Sequence, residues 1–80
     1  MTKDEGLEKV RSVGIIPIVR VPSAADALRA AEAILVCNIG VAEITMTVPG
    51  AIRVLEEVAA KYGGKVLLGA GTILDAETCR

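Results

Sequence analysis

The chain has 80 residues, a formal net charge of -1 and 52% hydrophobic residues, a balance that predicts a core-forming chain rather than a disordered or nucleic-acid-binding one. Tyr62 is the only aromatic residue, so the chain has no stacking platform for bases and no aromatic sugar cradle. No apolar stretch approaches the ~20 residues of a membrane span, and the polar start MTKDEGLEK is unlike a signal peptide. We therefore expect a cytoplasmic protein that binds neither nucleic acid nor membrane.

The two cysteines, Cys37 and Cys79, lie far apart in the sequence, and the chain has no histidine. Histidine ligation and the CxxC spacing of structural metal sites are therefore excluded. We expect two reduced thiols, no metal and no cofactor.

A helix and a short strand are the first predicted elements. Residues 3–13 have the spacing of an amphipathic helix, and Gly14 follows at the position where helices favour a left-handed residue. Residues 15–20, IIPIVR, are a β-branched run that predicts the first strand. Pro17 within that run has no amide proton, which predicts a bulge, an edge, or a position whose donor is not needed.

The next elements are a second helix and a second strand. Ser23 is a good N-cap for a helix over about residues 24–37, where alanines give high helix propensity. GVAEITMT, residues 40–47, predicts the second strand.

The same order of helix and strand then repeats. PGAIRVLEEVAAKYG predicts a helix with Pro49 in its first turn and Gly63 past its end. KVLLGAG, residues 65–71, predicts the third strand, and Asp75 is placed to cap a further helix.

Three apolar strands, each followed by a helix or its cap, indicate βα units with a parallel sheet, and hence an α/β fold. Three units are too few to bury both faces of such a sheet, and a complete β/α barrel needs roughly 250 residues. We therefore expect residues 1–80 to be part of a single larger domain, completed by further residues or by another chain.

Polar side chains converge at one end of the predicted sheet. Period two places Glu43 and Thr47 on one side of the second strand, opposite the apolar side that contains Ile44. Arg20 ends the first strand, and Thr72 follows the third in the sequence GAGT. Ligands of parallel α/β sheets bind at the carboxyl ends of the strands, so these side chains are candidates for a site.

Each of these signals also has a structural interpretation. Glu43 is either a general acid/base or a structural carboxylate paired with Arg20, because an isolated buried charge would cost several kcal/mol. Arg20 alone is a common surface residue. Gly69 and Gly71 either permit a tight turn or allow the backbone to approach an anionic ligand. The convergence of all these residues at one edge favours a functional site.

Four segments, GIIPIVRV, AAEAI, AEITMTVPGA and GAGTILDAET, resemble in order and spacing the amino-terminal part of the 2-keto-3-deoxy-6-phosphogluconate (KDPG) and 4-hydroxy-2-oxoglutarate (KHG) aldolase family. The resemblance covers nearly the whole chain and the first three of that family's eight strands. It implies the first part of a TIM (β/α)8 barrel, usually a homotrimer. It also implies a metal-independent cleavage, through a Schiff base, of a keto acid or its phosphate to pyruvate and an aldehyde.

The resemblance implies a role for each candidate residue. Glu43 matches the family's catalytic glutamate, which transfers protons during carbinolamine formation and carbon-carbon cleavage. Arg20 matches the arginine at the end of the first strand, and Thr72 matches a threonine that helps to hold the pyruvyl carboxylate. Many members have an arginine, in a TLRT sequence, where this chain has Thr47, so Thr47 is the candidate substrate contact at that position.

The family's Schiff-base lysine is implied to lie on a later strand, outside this chain. The lysines present are predicted on helices or at the start of a strand, away from the carboxyl ends: Lys3, Lys9, Lys61 and Lys65. Imine chemistry at neutral pH needs an amine in a desolvated pocket. We therefore expect residues 1–80 alone to be inactive as an aldolase.

The segment between the second helix and the second strand also departs from the family, which usually has a Gly-Gly pair there. Asn38 is able to adopt the left-handed conformation in place of glycine. The preceding run contains Leu35, Val36 and Cys37 and is either core packing or a protein contact, natural or engineered.

Three hypotheses remain open at this point. The first is the class I aldolase. The second is a structural or engineered self-assembling barrel subunit whose catalysis is incidental. The third is a phosphate-binding barrel of another activity, because one fold hosts many chemistries.

Overall fold

A computed structural model describes residues 1–80 as three parallel strands that alternate with helices. This confirms the predicted α/β class and the first βα units of a barrel. The elements in chain order are α1 (Lys3–Val13), β1 (Ile18–Val19), α2 (Ala24–Val36), β2 (Val41–Thr45), α3 (Ala51–Tyr62), β3 (Leu67–Gly71) and α4 (Ala76–Cys79).

The sheet has the order β1-β2-β3, so neighbours in the sequence are neighbours in space. Both pairs are parallel; Glu43 in the central strand lies between Ile18 of β1 and Gly69 of β3. Register partners in a parallel pair direct their side chains to the same face. The side chains of Ile18 and Glu43 therefore share one face of the sheet.

The face opposite Glu43 holds the hydrophobic core. Ile44 and Val58 are almost fully buried there. Burying one such side chain completely contributes about 1.5–3 kcal/mol to folding. The core cluster joins strand and helix residues: Val19, Ala27, Ala31, Ala42, Ile44, Val48, Ala51, Val54, Val58 and Val66.

The face that carries Glu43 is partly covered. At its amino-terminal end α1 crosses the sheet: a Cβ built on Gly6 would lie 3.8 Å from Cδ1 of Leu67, at the start of β3. Further along the same face, Ile18 is 58% exposed. Glu43 is half-buried and Thr45, on the same face at the end of β2, is fully buried, so this face is open to solvent beside the edge strand β1 and not at Thr45.

Strand β1 is shorter than predicted and begins after Pro17. The carbonyl of Pro17 accepts a hydrogen bond of 2.9 Å from the N–H of Glu43. The prediction of a strand over residues 15–20 was wrong in length, because Pro17 supplies an acceptor but no donor to the ladder. Of the three alternatives for Pro17, the edge is observed, because β1 lies at one side of the sheet, and the carbonyl of Pro17 serves as an acceptor where no donor is needed.

The predicted caps of α1 and α2 are confirmed. Gly14 follows α1 in the left-handed conformation, with a φ of 81°. Asn38 follows α2 with a φ of 62° and donates to the carbonyl of Leu35 at 3.0 Å, while Ile39 donates to Ile34 at 3.2 Å. These two bonds form a Schellman motif, in which asparagine takes the place usual for glycine.

Helix α3 begins later than predicted. Its N-cap is Gly50, so Pro49 lies before the helix and not in its first turn. Gly63 is the C-cap of α3, which confirms the prediction that it follows the last turn of the helix. Asp75 caps α4 as predicted, accepting a hydrogen bond of 2.7 Å from the N–H of Thr78.

Candidate active site

The four predicted site residues lie on the carboxyl-terminal side of the sheet or on the strand leading to it. Glu43 is in the middle of β2, and Arg20 comes directly after β1. Thr47 is in the turn that follows β2, and Thr72 comes directly after β3. Since the three strands are parallel, these positions belong to one edge of the sheet.

The strand register places Arg20 and Thr72 within one residue of the same level across the sheet. Val19 pairs with Ile44, so the next residue, Arg20, is level with Thr45. Thr45 in turn pairs with Gly71, which immediately precedes Thr72. The edge of the site is therefore a short row across three strands, with a cation at one side and a hydroxyl at the other.

Glu43 is half-buried, and its carboxylate has no partner in the chain. None of the side-chain hydrogen bonds or ion pairs involves Glu43 or Arg20. The structural interpretation, in which Arg20 neutralises Glu43, is therefore not the arrangement observed. The cost of a charge in the strand is avoided in another way, because the carboxylate lies on the partly open face and reaches solvent.

Gly71 provides the space for that carboxylate. A Cβ built on Gly71 would lie 2.8 Å from Cδ of Glu43, closer than real Cβ atoms approach, and 3.3 Å from Cγ, which is tighter than most such contacts. Gly69, the register partner of Glu43, has only the carbonyl oxygen of Ala42 near an added Cβ, at 3.9 Å. The Glu43 side chain therefore extends along the sheet, from the level of Gly69 to a place over Gly71.

Thr47 is hydrogen-bonded to Thr45, a buried residue that was not among the predicted site residues. The hydroxyl groups of Thr45 and Thr47 share a hydrogen bond of 2.6 Å. Thr45 is fully buried, whereas Thr47 is exposed and lies past the end of β2. The prediction that Thr47 belongs to the strand was wrong, although the Thr-x-Thr spacing did indicate that the two hydroxyls are on one side.

Thr72 has a φ of 58°, the left-handed conformation. A β-branched residue rarely adopts this conformation, which costs about 1–2 kcal/mol relative to the right-handed one. Strained residues of this kind are concentrated at binding and catalytic sites, where the surrounding structure holds them. No hydrogen bond within the chain engages the Thr72 hydroxyl, so it is free to contact a ligand.

The lysines lie away from this edge, as predicted. The Lys9 side chain is next to Gly40, which precedes β2, and Lys65 precedes β3. Lys61 forms an exposed ion pair of 3.8 Å with Glu32 on the helical surface. Lys3 begins α1. None of the four is placed to form an imine beside Glu43.

The apolar segment 35–37 at the end of α2 is in part packed against the core and in part exposed. Leu35 packs against the core cluster. Val36 is 83% exposed, and Cys37 is an exposed free thiol. Core packing therefore explains Leu35 but not the other two residues.

Two grooves differ in how they relate to the candidate site. The larger one, about 700 Å³, lies among the ends of α2 and α3 and the residues before β2, on the side away from Glu43. The smaller one, about 470 Å³, is formed by residues 46–53 and includes Thr47 and Arg53. We assign the site to the smaller groove and the adjacent face of the sheet because that groove is lined by a predicted site residue, Thr47, whereas the larger groove contains none.

The arrangement suits a small anionic substrate. Glu43 is an accessible carboxylate able to accept or donate a proton, Arg20 is a cation without an intramolecular partner, and two hydroxyls lie along the same edge. No three histidine, cysteine, aspartate or glutamate side chains lie close enough together to hold a metal ion. The chemistry available from these side chains is proton transfer next to a bound anion.

Comparison with known proteins assigns the family. No helix of the structure has both the length and the apolar character needed to cross a membrane. A comparison with curated proteins finds no significant match. A family model described as KDPG and KHG aldolase matches residues 7–80, which include every candidate site residue. The chain belongs to the KDPG and KHG aldolase family.

Proposed function

We propose that these residues form the acid/base half of a class I aldolase that cleaves 2-keto-3-deoxy-6-phosphogluconate or 4-hydroxy-2-oxoglutarate to pyruvate and an aldehyde. The observation that carries the proposal is the unpaired Glu43 carboxylate on the partly open face of the sheet, beside the edge formed by Arg20 and Thr72. A carboxylate that served only to balance Arg20 would be bonded to it. Membership of the aldolase family supports the same reaction class.

The proposed reaction begins with attack of a lysine amine on the keto carbon of the substrate. The lysine is supplied by a later strand of the full-length protein, since the four lysines of this segment lie elsewhere. Glu43 donates a proton as the carbinolamine loses water and the imine forms. It then accepts the proton of the hydroxyl on the carbon that becomes the aldehyde. As that carbon-carbon bond breaks, its electron pair is taken up by the imine, giving an enamine.

Glu43 completes the cycle by returning its proton to the enamine carbon, which yields the pyruvate imine for hydrolysis. The group is suited to both directions of transfer because it is within reach of solvent and not held by an ion pair. Arg20, Thr47 and Thr72 hold the carboxylate of the keto acid. A threonine at position 47 supplies a hydroxyl where other members of the family have a cation, which makes Arg20 the sole cationic contact among the proposed residues.

Borohydride trapping on the full-length protein tests the proposed function. Incubation with pyruvate and sodium borohydride is expected to give a covalent pyruvyl adduct on one lysine, located by peptide mass spectrometry. Omission of pyruvate is the control for nonspecific reduction. Absence of the adduct, in a folded protein that contains the later lysine, would contradict the proposal.

We also propose that the full-length protein is a homotrimer or a larger assembly, and that Val36 and Cys37 contribute to a contact between copies. The supporting observation is that Val36 is 83% exposed next to another exposed residue, although its neighbour Leu35 packs inward. Exposed apolar clusters of this kind often mark association sites. This surface is also the feature that favours the second hypothesis, an assembly subunit with incidental catalysis.

A further inference from the structure

We propose that Gly71 is a positioning residue for catalysis: its missing side chain lets the Glu43 carboxylate lie over β3, and any larger residue would displace that carboxylate from the substrate. The inference rests on the proposed acid/base role of Glu43. It adds to that role a requirement at a residue with no functional group of its own.

The Glu43 side chain is directed toward the carboxyl end of β3. The register partner of Glu43 is Gly69, yet the atoms nearest to a Cβ built on Gly71 are those of Glu43, with Cδ at 2.8 Å and Cγ at 3.3 Å. The carboxylate is therefore directed two residues toward the carboxyl end of β3. This is the direction of Thr72 and of the proposed keto acid contacts.

Backbone conformation does not explain why residue 71 is a glycine. Gly14 and Gly50 are the glycines with positive φ, so Gly71 has a backbone that alanine also adopts. Its carbonyl accepts a hydrogen bond of 2.9 Å from the N–H of Met46, which an alanine would preserve. The three atoms nearest to the added methyl group belong to the flexible Glu43 side chain, from its carboxylate to Cγ, and none of them is a backbone atom. The expected response to Gly71→Ala is movement of the carboxylate, with the sheet intact.

A small displacement of the Glu43 carboxylate is enough for a large loss of rate. Displacement of a reacting group by about 1 Å is enough to lower a rate by about 100-fold. Gly69→Ala is the matched control, because its added Cβ has no neighbour closer than the Ala42 carbonyl oxygen at 3.9 Å. The two variants make the same chemical change two residues apart on the same face of the same strand.

The test measures aldol cleavage by the full-length protein and by the variants G71A, G69A, E43A and G71A/E43A. We expect kcat of G71A to fall about 100-fold, with KM changed far less and with the pyruvyl adduct still formed on borohydride trapping, although more slowly, whereas G69A stays within a few-fold of the parent. In the E43A background, G71A should cause no further loss, because the group that it displaces is already absent.

The outcomes separate the inference from the proposed function. An unaltered protein without aldolase activity would defeat the proposed function and this inference with it. An active protein in which E43A is impaired but G71A equals G69A would overturn the inference alone. A further loss from G71A in the E43A background would also overturn it, because Gly71 would then act on folding or on substrate binding and not through Glu43.

Discussion

The carboxylate of Glu43 lies over Gly71, two residues beyond its register partner Gly69, and no cation in the chain is bonded to it. The relationship explains how a central strand accommodates a charged side chain. The side chain is half-buried and unpaired, and it extends across a glycine toward the carboxyl-terminal edge of the sheet.

The hydrogen bond between Thr45 and Thr47 should contribute measurably to stability. Thr47→Val removes the partner of a buried hydroxyl, which is expected to cost about 1–3 kcal/mol in the free energy of unfolding. The double variant T45V/T47V should recover part of that loss, since no buried hydroxyl is then left unpaired. Urea unfolding of the full-length protein and its variants measures both values. Additive losses in the double variant would show that the two hydroxyls do not depend on each other.

The protein should be more stable with a residue at position 72 that tolerates positive φ than with Thr72. Thr72→Asn is expected to raise the free energy of unfolding by roughly 0.5–1 kcal/mol, because asparagine adopts the left-handed conformation more readily than a β-branched residue. The same change should raise KM for the keto acid, since the threonine hydroxyl is lost. Thermal unfolding and steady-state kinetics test the two effects separately. A variant that is less stable and binds substrate normally would contradict both the strain and the proposed contact.

Substitutions at the end of α2 should distinguish packing from association. Val36→Glu is expected to leave the fold intact, because the side chain is 83% exposed, and to reduce the size of the assembly seen by light scattering. Leu35→Glu is the matched comparison one residue away. It should destabilise the fold by placing a charge against the core. An unchanged assembly in the Val36 variant would exclude this segment as the contact.

The cap of α4 should depend on pH in the acid range. Hydrogen bonds from the side chain of Thr78, and then from its backbone N–H, hold the pKa of the Asp75 carboxyl below its ordinary value of 3.8. The ionised form is therefore the one stabilised by folding, so the contribution of the cap is complete above pH 3.8 and is lost as the pH falls through the lower folded value. The amide signal of Thr78 in NMR spectra should report this titration. Thr78→Ala should move the pKa back toward 3.8, and an unchanged titration would contradict the assigned cause.

The sequence predicted the features that depend on local chemistry. Gly14 and Asn38 were identified as left-handed residues because few residue types tolerate positive φ, and Asp75 was identified as a cap because its side chain competes for the first amides of a helix. The alternation of β-branched runs with alanine-rich segments similarly predicted the parallel sheet. The caps are decided within a few neighbouring residues, and the strand-helix alternation that predicts the sheet is visible along the chain without knowledge of the register.

The details that failed or were missed depend on contacts between distant residues. The length of β1 is limited by how Pro17 meets Glu43, and the end of β2 by the turn that holds Thr47. The space that Gly71 leaves for Glu43 requires the register of two strands, which a single sequence does not contain. A glycine two residues beyond the register partner of the proposed acid/base residue is a signal visible only after the strands are aligned.

Proton exchange of pyruvate tests the central claim, that Glu43 transfers protons in a class I aldolase, most directly. The full-length protein in D2O should exchange the methyl protons of pyruvate, followed by NMR, because the imine and enamine interconvert through Glu43. Glu43→Gln preserves the size of the side chain and should lower the exchange rate about 10²- to 10⁴-fold. Exchange in the variant at the rate of the unaltered protein would contradict the account.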